Sequence, residues 1–193
     1  YFQYFSLTSA SHALAAHGLT VVDVEELPTQ GGSIRVYARH VDDPDAVASP
    51  RVAALREREA KAGLGDPATY HALAARVLTI KLALLEFLVT AKKAGKSVVC
   101  FGAAAKGNTL LNYCGVHADL VDYAVDSSPH KQGLYLPGSR IPIDSPDRIM
   151  ETRPDYVLIL PWNLCKEITT QMAAIREWGG QFVVAVPELR VLS

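Results

Sequence analysis

Gly102, Ala104 and Gly107 stand in the spacing G-x-A-x-x-G, with Ala103, Ala105 and Lys106 between them and Asn108 and Thr109 directly after. Small residues at this spacing let the backbone approach an anion, and a helix opening beyond them aims its unpaired N–H groups at the same place. The chemistry is the holding of a diphosphate. The first glycine permits the turn, the middle position is where backbone meets the phosphates, and the last glycine lets helix pack on strand. Ala104 puts a methyl at the middle position. Lys106 either adds a point charge to the cradle or is a solvated surface lysine. Asn108 and Thr109 are read as phosphate donors, as the cap of a helix that opens at one of them, or as both.

A second group follows the next apolar run. Asp126, Ser127 and Lys131 lie in D-S-S-P-H-K, where an open α/β sheet binds ligands. Asp126 stands where such folds hold a ribose hydroxyl and Lys131 where a phosphate is within reach; the alternative is a turn in which Asp126 and Ser127 bond local backbone. Trp162 and Asn163 close a later run, with Trp162 either stacking on a base or sugar or serving as a core plug. The six histidines show no metal-ligand spacing, and no nucleophile elbow or paired-carboxylate motif is present, so neither a metal nor a catalytic residue is assigned.

These residues need elements to position them. The β-branched run over 97–101 reads as a strand buried on both faces, followed by a glycine turn over 102–107 and a helix from 109. Strands are expected over 120–125, 140–143, 155–160 and 181–186, with helices after Ser145 and over 163–178. Upstream, a helix over 6–18 and strands over 20–26 and 33–40 form a small unit, its strands joined by a glycine-paired loop longer than a hairpin needs. A proline-bounded linker over 42–50 leads to a charged helix over 51–62. A long helix over 67–94 carries Leu73, Val77, Ile80, Leu84, Phe87 and Leu88 as a core stripe. The fold class is α/β: a Rossmann-like, mostly parallel sheet with helices on both faces, preceded by a small helix-strand-strand unit and a long helix. The divisions are 1–41, 42–95 and 96–193.

The 193 residues are 49% hydrophobic and 20% charged with a formal net charge of -1, so no global field recruits nucleic acid or anionic lipid. The longest apolar run near the start is too short and too punctuated for a signal peptide or a membrane span, and Cys100, Cys114 and Cys165 are widely spaced without a C-x-x-C pair. Reduced thiols and a cytoplasmic location are expected. Tyr1, Phe2 and Gln3 match the end of a protease site commonly engineered behind purification tags, so they are read as a tag scar and the chain as a piece of something longer.

Four stretches together resemble one family: Y-F-S-L at 4–7, G-G-S-I-R-V-Y at 31–37, G-A-A-A-K-G-N-T-L-L-N-Y-C-G at 102–115, and D-Y-A-V-D-S-S-P-H-K-Q-G-L-Y-L-P-G at 122–138. The chain is similar to the C-terminal portion of S-adenosylmethionine-dependent sugar C-methyltransferases, which methylate a carbon of a keto sugar carried on a nucleoside diphosphate, usually dTDP. The resemblance implies a zinc-binding head and a methyltransferase domain upstream, the latter holding S-adenosylmethionine and completed here by residues 1–41. It implies a nucleotide-sugar-binding domain over 96–193. The diphosphate would lie at 102–109 and the nucleoside beside Asp126, with Tyr4, Ser6, Gly32 and Ser33 facing the sugar in the intact enzyme. The family's catalytic H-E-H segment should precede this chain, with Tyr1 in place of its last histidine, and its T-H-G-G-S reads T-Q-G-G-S with Gln30. A fragment holding only one of two reactants should not methylate anything alone. Two other readings stay open from the residues: a nicotinamide dinucleotide-binding domain of an oxidoreductase, favoured by Asp126, and a ligand-free scaffold.

Overall fold

Alternate side chains of the three central strands enter different cores. The computed structural model describes residues 3–192, so Tyr1, Phe2 and the tag reading attached to them lie outside the described residues. Strands β3 (Val98–Phe101), β6 (Tyr156–Ile159) and β7 (Gln181–Val184) are almost wholly buried, the signature of a sheet covered on both faces. Val98, Cys100, Leu158 and Val183 point into one core, and Val99, Phe101, Val157, Phe182 and Val184 into the other. The first core is completed by Leu84 and Leu88 of α3 (Pro67–Lys93) and Leu111 of α4 (Ala105–Cys114), and the second by Ile149 of α5 (Asp147–Thr152) and Ile168 of α6 (Cys165–Gln171).

The two-residue strands β4 (Ala124–Val125) and β5 (Ile143–Asp144), with an antiparallel edge strand β8 (Arg190–Leu192), complete a six-stranded sheet of order β5-β4-β3-β6-β7-β8. All pairs but the last are parallel. The Rossmann-like α/β class read from the sequence is therefore the observed one. The order reverses direction between β3 and β6, and crevices for ligands open at the carboxyl ends beside such a reversal.

The chain divides into two compact units, Tyr1–Ala74 and Ala75–Ser193. In the first, α1 (Leu7–Ala15) and α2 (Pro50–Lys61) cover an antiparallel pair, β1 (Leu19–Leu27) with β2 (Ser33–His40), around Leu7, Val21, Val24, Val52 and Leu55. The loop between the strands is a single 3-10 turn, Thr29–Gly31, with Gln30 at φ 57 and Gly32 at φ 129.

Several boundaries differ from the sequence reading. Helix α4 opens at Ala105, with Ala104 as its N-cap and no side-chain cap, so Lys106, Gly107, Asn108 and Thr109 all lie within the helix. Asn108 and Thr109 are not caps: the Asn108 N–H is the first to bond back, to the Ala104 carbonyl, and the Thr109 hydroxyl donates to the Ala105 carbonyl. Alanine and lysine extend a helix as readily as they line a turn, and the glycine that looked like turn is tolerated because the helix needs it for packing. The expected 163–178 helix is broken into a 3-10 turn, α6 and a second 3-10 stretch (Ala173–Trp178), with Met172 leaving helical geometry at φ -103 and ψ 25. On α3, Leu84 and Leu88 are buried as expected, but Leu73 is 50% exposed, so the stripe does not seal along its whole length.

Candidate functional site

The turn after β3 is built on Gly102. Its φ of +88 is open to glycine, its N–H donates to the Val125 carbonyl at 2.7 Å, and a Cβ there would sit 2.7 Å from the Pro161 ring. The next N–H, of Ala103, donates to Asp126 Oδ2 at 2.8 Å. Lys131 Nζ donates to the same oxygen at 3.0 Å and to the Ala103 carbonyl at 3.1 Å, while Asp126 Oδ1 accepts the Ser128 N–H at 2.9 Å. Burial pushes the Asp126 pKa up, but the Ser128 N–H, Lys131 and the Ala103 N–H outweigh it and hold the carboxyl below its usual range. Asp126 thus braces the turn and stays ionised.

Beyond the turn, the N–H groups of Ala105, Lys106 and Gly107 precede the first internally bonded donor of α4, the Asn108 N–H, and carry the positive end of its dipole. They open beside a cavity of about 470 Å³. One wall is Ala103, Ala104, Ala105, Asn108 and Lys131; the other is Leu134, Tyr135, Leu136 and Pro137. Leu134 and Tyr135 are more than half exposed, apolar groups held at the rim of a polar turn. Asn108 Oδ1 is shut off from solvent and accepts no hydrogen bond from the described residues.

Lys106 leaves α4 on the opposite side. Its ammonium lies 4.9 Å from the centre of the Trp162 ring and donates to Asn163 Oδ1. Both partners are neutral, and among the described residues Lys106 makes no ion pair, whereas Lys131 is paired with Asp126. Trp162 is half-buried and is not among the side chains of either core. A larger cleft, about 560 Å³, lies in the first unit between β1 and α2. Its charges meet one another, Arg51 with Asp23 and Arg58 with Glu26, which leaves it without a free cation for an anionic ligand.

The C-methyltransferase C-terminal domain family matches residues 28–187. This chain belongs to that family. It is also 38% identical, over all 193 residues, to the C-methyltransferase NovU of Streptomyces niveus, and spans 46% of that relative's length.

In this C-methyltransferase C-terminal domain, the sequence candidates fall into three sets. Gly102 to Thr109, Asp126 and Lys131 come together around one turn. Trp162 and Asn163 join them through Lys106, while Ser127 is exposed at the edge. Tyr4, Ser6, Gly32 and Ser33 belong to the first unit: Tyr4 is 89% exposed, Ser6 is the N-cap of α1 and accepts the Ser9 N–H at 3.1 Å, and the Ser33 hydroxyl donates to the Thr29 carbonyl at 3.0 Å. Sequence reasoning missed the second wall. Asn112 Nδ2 donates to the Pro137 carbonyl at 2.9 Å and so straps the 134–137 segment to α4. The signal was the run L-Y-L-P, apolar residues inside a loop otherwise made of glycine and polar residues. No helix of the described residues is long and apolar enough to cross a membrane.

Proposed function

We propose that the chain is the substrate-anchoring domain of an S-adenosylmethionine-dependent C-methyltransferase acting on a dTDP-linked keto-deoxysugar. The diphosphate lies across the Gly102 turn and the first turn of α4, and the nucleoside lies in the cavity toward Lys131 and the 134–137 wall. The carrying observation is that unpaired helix N–H groups, a lysine with only neutral partners and an open cavity meet at one strand end in a member of a C-methyltransferase domain family. In the intact enzyme Tyr4, Ser6, Gly32 and Ser33 face the sugar, and the two-stranded sheet of the first unit completes the upstream methyltransferase domain.

S-adenosylmethionine does not suit this site. It carries a sulfonium cation and no phosphate, while the turn offers N–H donors and two lysines. Its place is in the upstream part of the full-length protein, and the role of this chain's residues is to bind and orient the acceptor.

Calorimetric titration with dTDP, with S-adenosylmethionine and NADH in parallel, tests the reading. Saturable dTDP binding is expected, with the other two silent. Lys106→Ala should weaken it about tenfold or more, the worth of one charge-assisted hydrogen bond. Absence of dTDP binding would favour the scaffold reading, and saturation by NADH the dinucleotide reading.

A further inference from the structure

The two sides of the α4 N-terminus are built differently. On the side of β4 and β5 lies the 470 Å³ cavity. On the side of β6, where a Rossmann crevice continues across the reversal of strand order, the space is filled. Pro161 Cδ and Cγ lie 2.7 and 2.9 Å from the point where Gly102 would carry a Cβ, so the proline ring rests on the glycine itself. One residue earlier, Leu160 packs on Gly107 so closely that an added Cβ would overlap its side chain. One residue later, the Trp162 indole lies under the Lys106 ammonium, and Asn163 bonds the same ammonium.

We propose that the Pro161-Trp162-Asn163 segment is a plug that makes this unit a half-site. It reads one nucleoside and its diphosphate, and it turns whatever is attached beyond the second phosphate away from the sheet. This rests on the reading that the diphosphate lies at the start of α4. Four consecutive side chains from Leu160 to Asn163 press on the turn or the helix, and Lys106 holds the last two, Trp162 and Asn163. Because both of its partners are neutral, Lys106 keeps its charge for a phosphate while marking the boundary of the site. A dinucleotide needs room for a nucleoside on each side of the crevice, and on the second side Pro161, Trp162 and Asn163 stand against Gly102 and Lys106. A sugar on the second phosphate meets the plug and leaves this unit without a subsite of its own. Trp162 is then a barrier and specificity residue, not a stacking platform for the sugar.

The test compares dTDP with dTDP-glucose by calorimetry on the full chain, with indole fluorescence as a second readout. A half-site gives the two ligands affinities within about threefold of each other, since the glucose adds no contact. The emission of Trp162 changes as either ligand draws the Lys106 ammonium off the ring. That change disappears in Trp162→Phe, which leaves Trp178 as the sole tryptophan. If dTDP-glucose binds more than about tenfold tighter than dTDP, and Trp162→Phe erases the difference, the plug is overturned while the diphosphate site stands. A dTDP-induced signal that survives in Trp162→Phe also overturns the plug, because it places Trp162 away from the ligand. If neither ligand binds, the diphosphate reading fails and the plug fails with it.

Discussion

The carboxylate of Asp126, at the end of β4, accepts the backbone N–H of Ala103 in the turn after β3 at 2.8 Å. Lys131 and the Ser128 N–H complete its shell, so Asp126 sets the shape of the neighbouring turn. Asp126→Asn keeps the size but removes the charge and turns one acceptor into a donor. It should cost about 1–3 kcal/mol at neutral pH, read as a lower urea midpoint. The folded pKa is depressed, so the stabilisation is present above the unfolded value near about 3.9 and is lost as pH falls through the folded pKa. The gap between wild type and variant should therefore narrow on acidification. A gap that stayed constant or widened would mean that the charge of Asp126 is not what the turn depends on.

Gly107 lies inside α4, where alanine would ordinarily stabilise a helix by about 1 kcal/mol. Here the added methyl meets Leu160 Cγ and Cδ1 at 3.0 and 3.1 Å and overlaps its Cβ. Overpacking wins, and Gly107→Ala should destabilise by about 1–3 kcal/mol in denaturant melts. Gly65, with nothing within 4 Å of its Cβ position and no positive φ, is the control. There the same change should be neutral or slightly stabilising.

The contrast between these two sites explains what the sequence made legible. Runs such as V-V-C-F and Q-F-V-V declare a doubly covered sheet because burial on both faces leaves no polar alternation, and the glycine spacing after the first run declares the turn. The family was legible from motifs over most of the chain. The start of α4 was not, because alanine, lysine and glycine carry no boundary signal, and the helix begins where Gly107 can touch Leu160, 53 residues away by number. The bond from the Ala103 N–H to Asp126 was not legible either: the position of Asp126 at a strand end is local information, whereas Ala103 belongs to the turn of the neighbouring strand, 23 residues earlier. The short edge strand β8 and the wall at 134–137 depend on tertiary contacts in the same way.

In the first unit, Glu59 of α2 reaches the start of α1. Its carboxylate accepts the Leu7 N–H at 2.6 Å, the Thr8 N–H at 2.8 Å and the Thr8 hydroxyl at 2.6 Å. It is only 8% exposed. Burial raises its pKa, but the Thr8 hydroxyl and the two N–H groups outweigh that and hold it below the usual range. Glu59→Ala strands two helix donors, the Leu7 N–H buried and the Thr8 N–H partly so, and should cost about 2–3 kcal/mol. Glu59→Gln should recover part of the loss because one amide oxygen still accepts. Both are read by chemical denaturation at pH 7. Equal losses would show that charge, and not acceptor geometry, holds the helix.

Asn112 bears most directly on ligand binding. Its Nδ2 donates to the Asn108 carbonyl and the Pro137 carbonyl, both at 2.9 Å, and Gly138, at φ +81, lies against its side chain with no room for a Cβ. The 134–137 wall is therefore tied to the same helix whose N-terminus is assigned to the diphosphate. Asn112 is exposed, so Asn112→Ala should cost no more than about 1 kcal/mol of stability. Its larger effect should be on dTDP, because a loosened wall must be ordered again on binding; the expected weakening is about three- to tenfold. Asn112→Asp should be worse than alanine, since an acceptor-only side chain would face two carbonyls. A stability loss without any change in dTDP affinity would separate the wall from the nucleoside and move the base elsewhere in the cavity.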